Sequence, residues 1–156
     1  MRDALKVAVV VGWAVASLPA IAQNRDGEPY VGTFTLNTGY APDPQVINVE
    51  AGGELAATSA ASSCSGFISD RPDLRLQFTA GSRPLIISVA ATVDTTLVVN
   101  APDGSWYCDD DGGVNGSNPA VRFDNPASGR YEIWVGTYSS GELQAAQLHI
   151  SELNSQ

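Results

Sequence analysis

Short alternating runs separated by turn residues are the feature that most constrains how this chain folds. Residues 74–78 (LRLQF) alternate apolar and polar side chains, as a strand does when one face is buried and the other meets water. Comparable runs recur along the chain, with Gly, Pro, Asn or Ser between them. The predicted strands are residues 31–36, 46–49, 55–58, 74–78, 85–89, 92–100, 120–123, 130–138 and 146–150.

This spacing predicts an all-β fold, because many short strands with regular turns are typical of sandwiches and barrels. We predict an antiparallel, jelly-roll-like β-sandwich. The Ala/Ser-rich stretch at 56–63 is compatible with a helical turn, but it lacks apolar periodicity and is expected to be a loop or an edge strand. The sequence shows no internal repeat and no second domain.

The first 22 residues have the features of a secretory signal peptide. Arg2 and Lys6 precede an apolar run at 7–18, and the small-x-small triplet 20–22 (AIA) follows. The run is short for a membrane span, although an uncleaved anchor stays an alternative. We therefore expect a signal peptide at 1–22 and a single domain at 23–156, in a protein that is secreted or periplasmic.

The charge of the chain excludes some classes of partner. The net charge of −9 becomes −10 once segment 1–22, with its net charge of +1, is removed, and no lysine then remains. An acidic domain without a basic patch is a poor ligand for nucleic acids or anionic membranes. We expect neither partner, and we expect a monomer.

Cys64 and Cys108 are the only two cysteines in the chain. In an exported protein they predict one disulfide bond, which would close a loop of 44 positions (108 minus 64). The alternatives are a free buried pair or intermolecular bridges. A reactive thiol is disfavoured, because the sequence has no Cys-x-x-Cys motif and no nearby histidine.

Residues 94–118 concentrate carboxylates more tightly than any other stretch. Three consecutive aspartates repel one another unless water, a cation or backbone donors separate their charges. Oxygen donors suit Ca²⁺, and the chain offers too few histidines and free thiols for a transition metal. The alternative is a solvated turn in which aspartates cap backbone N–H groups. The predicted ligands are Asp94, Asp109, Asp110, Asp111 and Asn115.

Six short segments follow one another in a characteristic order in the C-terminal half. They are 74–78 (LRLQF), 94–99 (DTTLVV), 102–104 (PDG), 109–113 (DDDGG), 128–131 (SGRY) and 133–138 (IWVGTY). In their order and spacing they resemble the bacterial pre-peptidase C-terminal (PPC) domain family. The family pattern is an Asp-Thr strand, a Pro-x-Gly-like turn, an Asn/Asp-rich run, and a Ser-Gly-x-Tyr segment followed by a closing strand.

The resemblance implies an extracellular β-sandwich of a kind that is usually attached to secreted proteases and sometimes binds calcium. Related domains of clostridial collagenases bind collagen. This sequence contains no protease, so we expect the domain to act alone or with a separately encoded partner.

Aromatic residues form a second candidate surface. Trp106, Trp134 and Tyr138 are predicted as a possible platform for a sugar ring or a protein partner, because Trp134 alternates with Tyr131, Ile133 and Val135. Packing of these rings under a loop or beside the disulfide is the favoured interpretation, because Trp is usually mostly buried.

We predict no catalytic residue. His149, the only histidine, lies between Leu148 and Ile150 and is expected to face solvent, and no Gly-x-Ser-x-Gly motif accompanies it. The function expected from the sequence is a non-catalytic binding or accessory module, stabilised by Ca²⁺, that contacts an extracellular protein or polysaccharide. A structural or adhesive surface subunit is the alternative, and a secreted hydrolase is a weaker one.

Overall fold

The computed structural model describes residues 23–156, so the predicted signal peptide at 1–22 lies outside the described residues. The described chain is built almost entirely of strands. They are β1 (Gly32–Asn37), β2 (Gln45–Ala51), β3 (Leu55–Ala56), β4 (Phe67–Ile68), β5 (Leu74–Thr79), β6 (Leu85–Ala90), β7 (Thr95–Asn100), β8 (Trp106–Asp109), β9 (Ala120–Phe123), β10 (Gly129–Thr137) and β11 (Gln144–Ser151). A 3₁₀ turn, Ala57–Ser59, follows β3.

Two sheets face each other and form a β-sandwich, which confirms the predicted fold class. The larger sheet has the order β1-β5-β10-β4-β3, and β7 and β8 extend it from the other side of β10. The smaller sheet has the order β2-β11-β6-β9. All pairs are antiparallel except β1 and β5, which run parallel. Within residues 23–156, no helix is long and apolar enough to span a membrane.

The main core lies between the two sheets and follows the sequence alternation. Leu74, Leu76 and Phe78 of β5 are buried, while Gln77 between them is exposed. Tyr131, Ile133 and Val135 of β10 join the same core, as their spacing in the sequence predicts. The central strand β7 is buried at all six positions, because it lies between β10 and β8 and both of its faces are covered.

The outer face of β10 is also buried, and charged groups cover part of it. Glu132 is almost fully buried; its Oε1 accepts a hydrogen bond from Arg75 Nε at 2.6 Å and forms an ion pair with Arg130, whose Nε lies 2.9 Å away. Arg75 also donates to the backbone carbonyls of Arg25 and Gly27 in the segment before β1. Burial raises the pKa of Glu132, and the hydrogen bond and charge of Arg75 act in the opposite direction.

Replacing Arg75 with methionine is expected to destabilise the protein by about 2 kcal/mol, because a buried carboxylate loses one of its two cations. Arg130 remains beside Glu132 and limits the loss. Urea denaturation of Arg75→Met and of the double variant Arg75→Met/Glu132→Gln tests this. The double variant should be the more stable of the two, and the reverse order would contradict the charge-burial explanation.

A second, smaller core surrounds the disulfide between Cys64 and Cys108, whose Cα atoms are 5.3 Å apart. The predicted bond is therefore confirmed, and it fits a secreted or periplasmic protein because disulfides persist in oxidising compartments. Trp134 is 0% exposed in this core and packs against Trp106, with 5.4 Å between the ring centroids. Trp134 therefore does not contribute to an exposed surface, and packing beside the disulfide, which the sequence favoured, is the arrangement found.

Candidate binding groove

A groove of about 1270 Å³ crosses the end of the sandwich where the two sheets meet. Its walls come from segments distant in the sequence: the residues just before β1, the second half of β2 with the β2–β3 connection, the loop before β5, and the β10–β11 turn with the start of β11. The lining residues are Tyr30, Val31, Asn48, Val49, Glu50, Gly52, Gly53, Glu54, Leu55, Ser69, Asp70, Asp73, Gly141, Glu142, Leu143 and Ala145. No sequence pattern predicted this groove.

The Gly52-Gly53 pair positions the β2–β3 side of the groove. The Gly52 N–H donates to the Val135 carbonyl at 2.9 Å and so links the end of β2 to β10 in the opposite sheet. Gly53 packs directly on the backbone of Ile68 and Ser69, and a Cβ atom there would collide with the Ile68 carbonyl. Only glycine allows the two chain segments to approach this closely.

Asp73 is a buried carboxyl group in the groove lining. Its residue is 3% exposed, and its Oδ2 accepts a hydrogen bond from the Val135 N–H at 2.7 Å. No described residue donates a hydrogen bond to Oδ1. Burial raises the pKa of Asp73 to about 8, and the Val135 hydrogen bond opposes the rise. A neutral aspartic acid is therefore the main form at neutral pH.

The exposed lining combines apolar side chains with acids. Leu143 is 54% exposed and Val31 is 41% exposed, and these are large values for branched aliphatic side chains. The exposed lining acids are Glu50, Glu54, Asp70 and Glu142. No arginine belongs to the lining; Arg71 instead stacks on the Tyr30 ring, 4.1 Å from its centroid. The groove therefore combines exposed apolar side chains with exposed carboxylates.

Protein hydrogen bonds already occupy part of the predicted calcium site. Asp109 Oδ2 accepts from the backbone N–H groups of Gly112 at 2.7 Å and Ala120 at 2.8 Å. This is the capping arrangement that the solvated-turn alternative predicts. The exposed Asn115 holds the loop through its backbone carbonyl, which accepts from Ser117 and Asn118. Asp109 and Asn115 therefore have structural roles in the turn.

The other predicted calcium ligands lie near one another. The pKa of Asp94 is raised, chiefly by burial and then by the negative charges of Asp111 and Asp110. Within residues 23–156, however, no group of three or more His, Cys, Asp or Glu side chains is arranged to hold a metal ion. Calcium binding stays a prediction.

The remaining predicted surface residues lie apart from the groove lining. Tyr138 is exposed at the end of β10, and its backbone N–H donates to the Asp94 carbonyl at 3.1 Å. Trp106 is half-buried over the disulfide. Because Trp134 is buried, the rings of Trp106, Trp134 and Tyr138 do not form one exposed platform.

His149 is buried, at 7% exposure, so the expectation that it faces solvent is wrong. Among the described residues, neither of its ring nitrogens has a hydrogen-bond partner, and burial lowers its pKa. Ser88 lies opposite His149 in the β6–β11 pairing, but the Ser88 hydroxyl accepts from the Gln156 N–H at 3.0 Å. A relay from serine through histidine to a carboxylate is not assembled here.

No family model matches this chain, and no curated protein matches it. Solved structures that are similar to it include the following two. Aeromonas hydrophila PliG, a periplasmic inhibitor of g-type lysozyme, shows 16% identity and a TM-score of 0.40 over 76% of this chain and 96% of PliG. Methylomicrobium album BG8 CorA, a surface-associated copper-binding protein, shows 12% identity and a TM-score of 0.42 over 78% of this chain and 100% of CorA. These comparisons do not test the resemblance to the PPC domain family, which stays a prediction.

Proposed function

We propose that this protein is a secreted or periplasmic, non-catalytic binding module that holds an extracellular protein partner in the groove. The observation that carries the proposal is the groove itself, with exposed Leu143 and Val31 beside a buried carboxyl group. Concave sites that combine apolar walls with a few placed polar groups are typical of ligand recognition. The proposed role is accessory, in keeping with the PPC resemblance, and the partner is a separately encoded protein.

A protein partner suits this groove better than a polysaccharide. Sugar rings are commonly bound on exposed aromatic faces, and Tyr30 is the only aromatic residue in the lining. The Tyr30 ring already stacks against Arg71, and its hydroxyl donates to Asp70 Oδ1 at 3.0 Å. Aliphatic side chains and carboxylates make up much of the rest of the groove lining. Both are complementary to peptide side chains.

Selection of a displayed dodecapeptide library on the immobilised protein tests the proposal. The selected peptides are then measured against two variants by biolayer interferometry. Ala145→Trp fills the groove from an exposed strand position, and Gln77→Trp is the matched control on the outer face of the opposite sheet. We expect Ala145→Trp to weaken binding by about tenfold or more and Gln77→Trp to leave it unchanged. The absence of binders, or equal binding to both variants, would overturn the proposal.

Calcium stabilisation is a secondary proposal, supported by the negative charges of Asp111 and Asp110 near Asp94; burial is the chief cause of the raised pKa of Asp94, and these two charges add to it. Extracellular calcium modules bind with Kd of about 10⁻⁴ to 10⁻³ M. At about 5 mM Ca²⁺ and a Kd of about 0.5 mM, linkage gives about 1.4 kcal/mol, or a Tm rise of several degrees.

Differential scanning fluorimetry with CaCl₂ and with EDTA measures this shift. Asp111→Asn should abolish the response, whereas Asp124→Asn, an exposed aspartate on a different turn, should retain it. Identical melting of the wild-type protein in both conditions would remove calcium from the proposed function.

A further inference from the structure

We propose that the groove recognises a lysine or arginine side chain of an extended partner segment and that Asp73 receives its charged end. This inference rests on the proposed function, since it names the chemistry of the partner that the groove accepts. The occupant is a cationic peptide segment, with apolar neighbours that contact Leu143 and Val31.

Asp73 differs from the other buried carboxylic acids of the described chain. Those acids are Glu132 and Glu152, and each has an arginine: Glu132 lies beside Arg75 and Arg130, and Glu152 Oε2 lies 3.3 Å from Arg83. Asp73 has one backbone hydrogen bond to Oδ2 and no cation from residues 23–156. A buried carboxylate that lacks a cation is costly unless it is neutral or a partner supplies the charge.

The position of Asp73 allows a cation of the partner to pair with its carboxyl group. Asp73 lies in the groove lining, so a ligand in the groove can approach the side of the carboxyl group that Val135 leaves free. An approaching ammonium or guanidinium group favours the ionised form of the acid, and the proton is released to solvent. The ion pair then forms away from bulk water, where charge-assisted hydrogen bonds are strong.

The surroundings of Asp73 favour the same occupant. Four exposed acids line the groove, and the chain after residue 22 contains no lysine and carries a net charge of −10, from the −9 of the whole chain less the +1 of residues 1–22. Such a field attracts cations and repels acidic segments. The methylene stem of a lysine or arginine can lie along Leu143 and Val31 while its charged end reaches the carboxyl group.

Three displayed dodecapeptide sublibraries, identical except for a fixed central Lys, Glu or Leu, test the inference. Groove-dependent binders are the peptides whose binding Ala145→Trp weakens. We expect them to come from the Lys sublibrary. In the best synthetic peptide, exchange of the central lysine for norleucine should weaken binding by about thirtyfold. Against Asp73→Asn, which retains an acceptor for the Val135 N–H, the same exchange should have little effect.

A second variant, Glu54→Lys, changes an exposed groove acid and leaves the buried carboxyl group untouched. Glu54→Lys should weaken the binding of the lysine peptide several-fold and leave the binding of the norleucine peptide nearly unchanged. Groove-dependent binders from the Glu or Leu sublibraries, or a lysine effect that persists in Asp73→Asn, would overturn the cation inference and leave the proposed function standing. Binding that ignores Ala145→Trp, or no binding, would overturn both.

Discussion

Replacing Gly53 with alanine is expected to destabilise the protein by about 4 kcal/mol or more, among the largest losses that a single methyl group causes. The added Cβ would overlap the backbone of Ile68 and Ser69, which cannot rotate away as a side chain can. Separating these segments would also strain the Gly52–Val135 hydrogen bond that joins the two sheets. For a domain of this size the expected fall in Tm is about 10–20 °C.

Gly116→Ala is the matched control for this substitution. Gly116 has no atom within 4 Å of an added Cβ, so alanine there should change stability by no more than about 1 kcal/mol. Thermal and urea denaturation of both variants measure the difference. A Gly53→Ala protein that melts within about 2 °C of the wild type would show that the β2–β3 connection moves freely, and the groove would then lack a rigid wall.

The sequence predicts most strands because alternation is a local property. β5 and β10 are visible as period-two patterns, and their inward faces are occupied as predicted. β4 was missed, because a strand of two residues has no period and is defined only by its partners in β3 and β10. The parallel pairing of β1 with β5 is likewise a property of topology that no local pattern reveals.

The outer face of β10 shows why burial was harder to predict than strand position. The pattern assigns Trp134 to the face away from the main core, which is correct, but that face is covered. The cover comes from the distant disulfide of Cys64 and Cys108, which packs on Trp134. The exposure of His149 was predicted wrongly for a comparable reason. Alternation shows which face of a strand a side chain is on, but it does not show what covers that face.

The groove could not be predicted, because its walls come together only in the folded chain. Asp73 stands after Pro72 and before an alternating strand, a position typical of an exposed loop acid. The acidic run at 109–111 drew attention because its charges are adjacent in sequence, yet Asp109 caps a turn. The isolated Asp73 became notable only through its burial.

Replacing Asp73 with asparagine is expected to change the pH dependence of stability more than any other charge substitution. The folded pKa of about 8 lies above the ordinary value of 3.8, so between these limits the folded state binds more protons than the unfolded state. The stability of the wild type therefore falls as the pH rises from about 4 to about 8 and levels off above. Four pKa units correspond to about 5 kcal/mol.

The asparagine variant lacks this titration, so its stability relative to the wild type should rise with pH. The two proteins should be similar near pH 3, where Asp73 is mostly neutral in both the folded and the unfolded state, and differ by about 5 kcal/mol near pH 8.5. The other titratable groups of the groove are the same in both proteins and cancel in the difference; they are Tyr30, Glu50, Glu54, Asp70 and Glu142. Urea denaturation at several pH values measures the difference.

Glu142→Gln controls for the loss of a negative charge, because Glu142 is an exposed acid in the same groove and its replacement should shift stability by under about 0.5 kcal/mol. If the Asp73→Asn difference stays constant with pH, then water reaches the carboxylate and Asp73 is ionised in the free protein. If the difference rises as expected, a saturating lysine peptide should stabilise the wild type more at pH 8.5 than at pH 6. The peptide's cation then pairs with a carboxylate that is already ionised, and no proton has to be released.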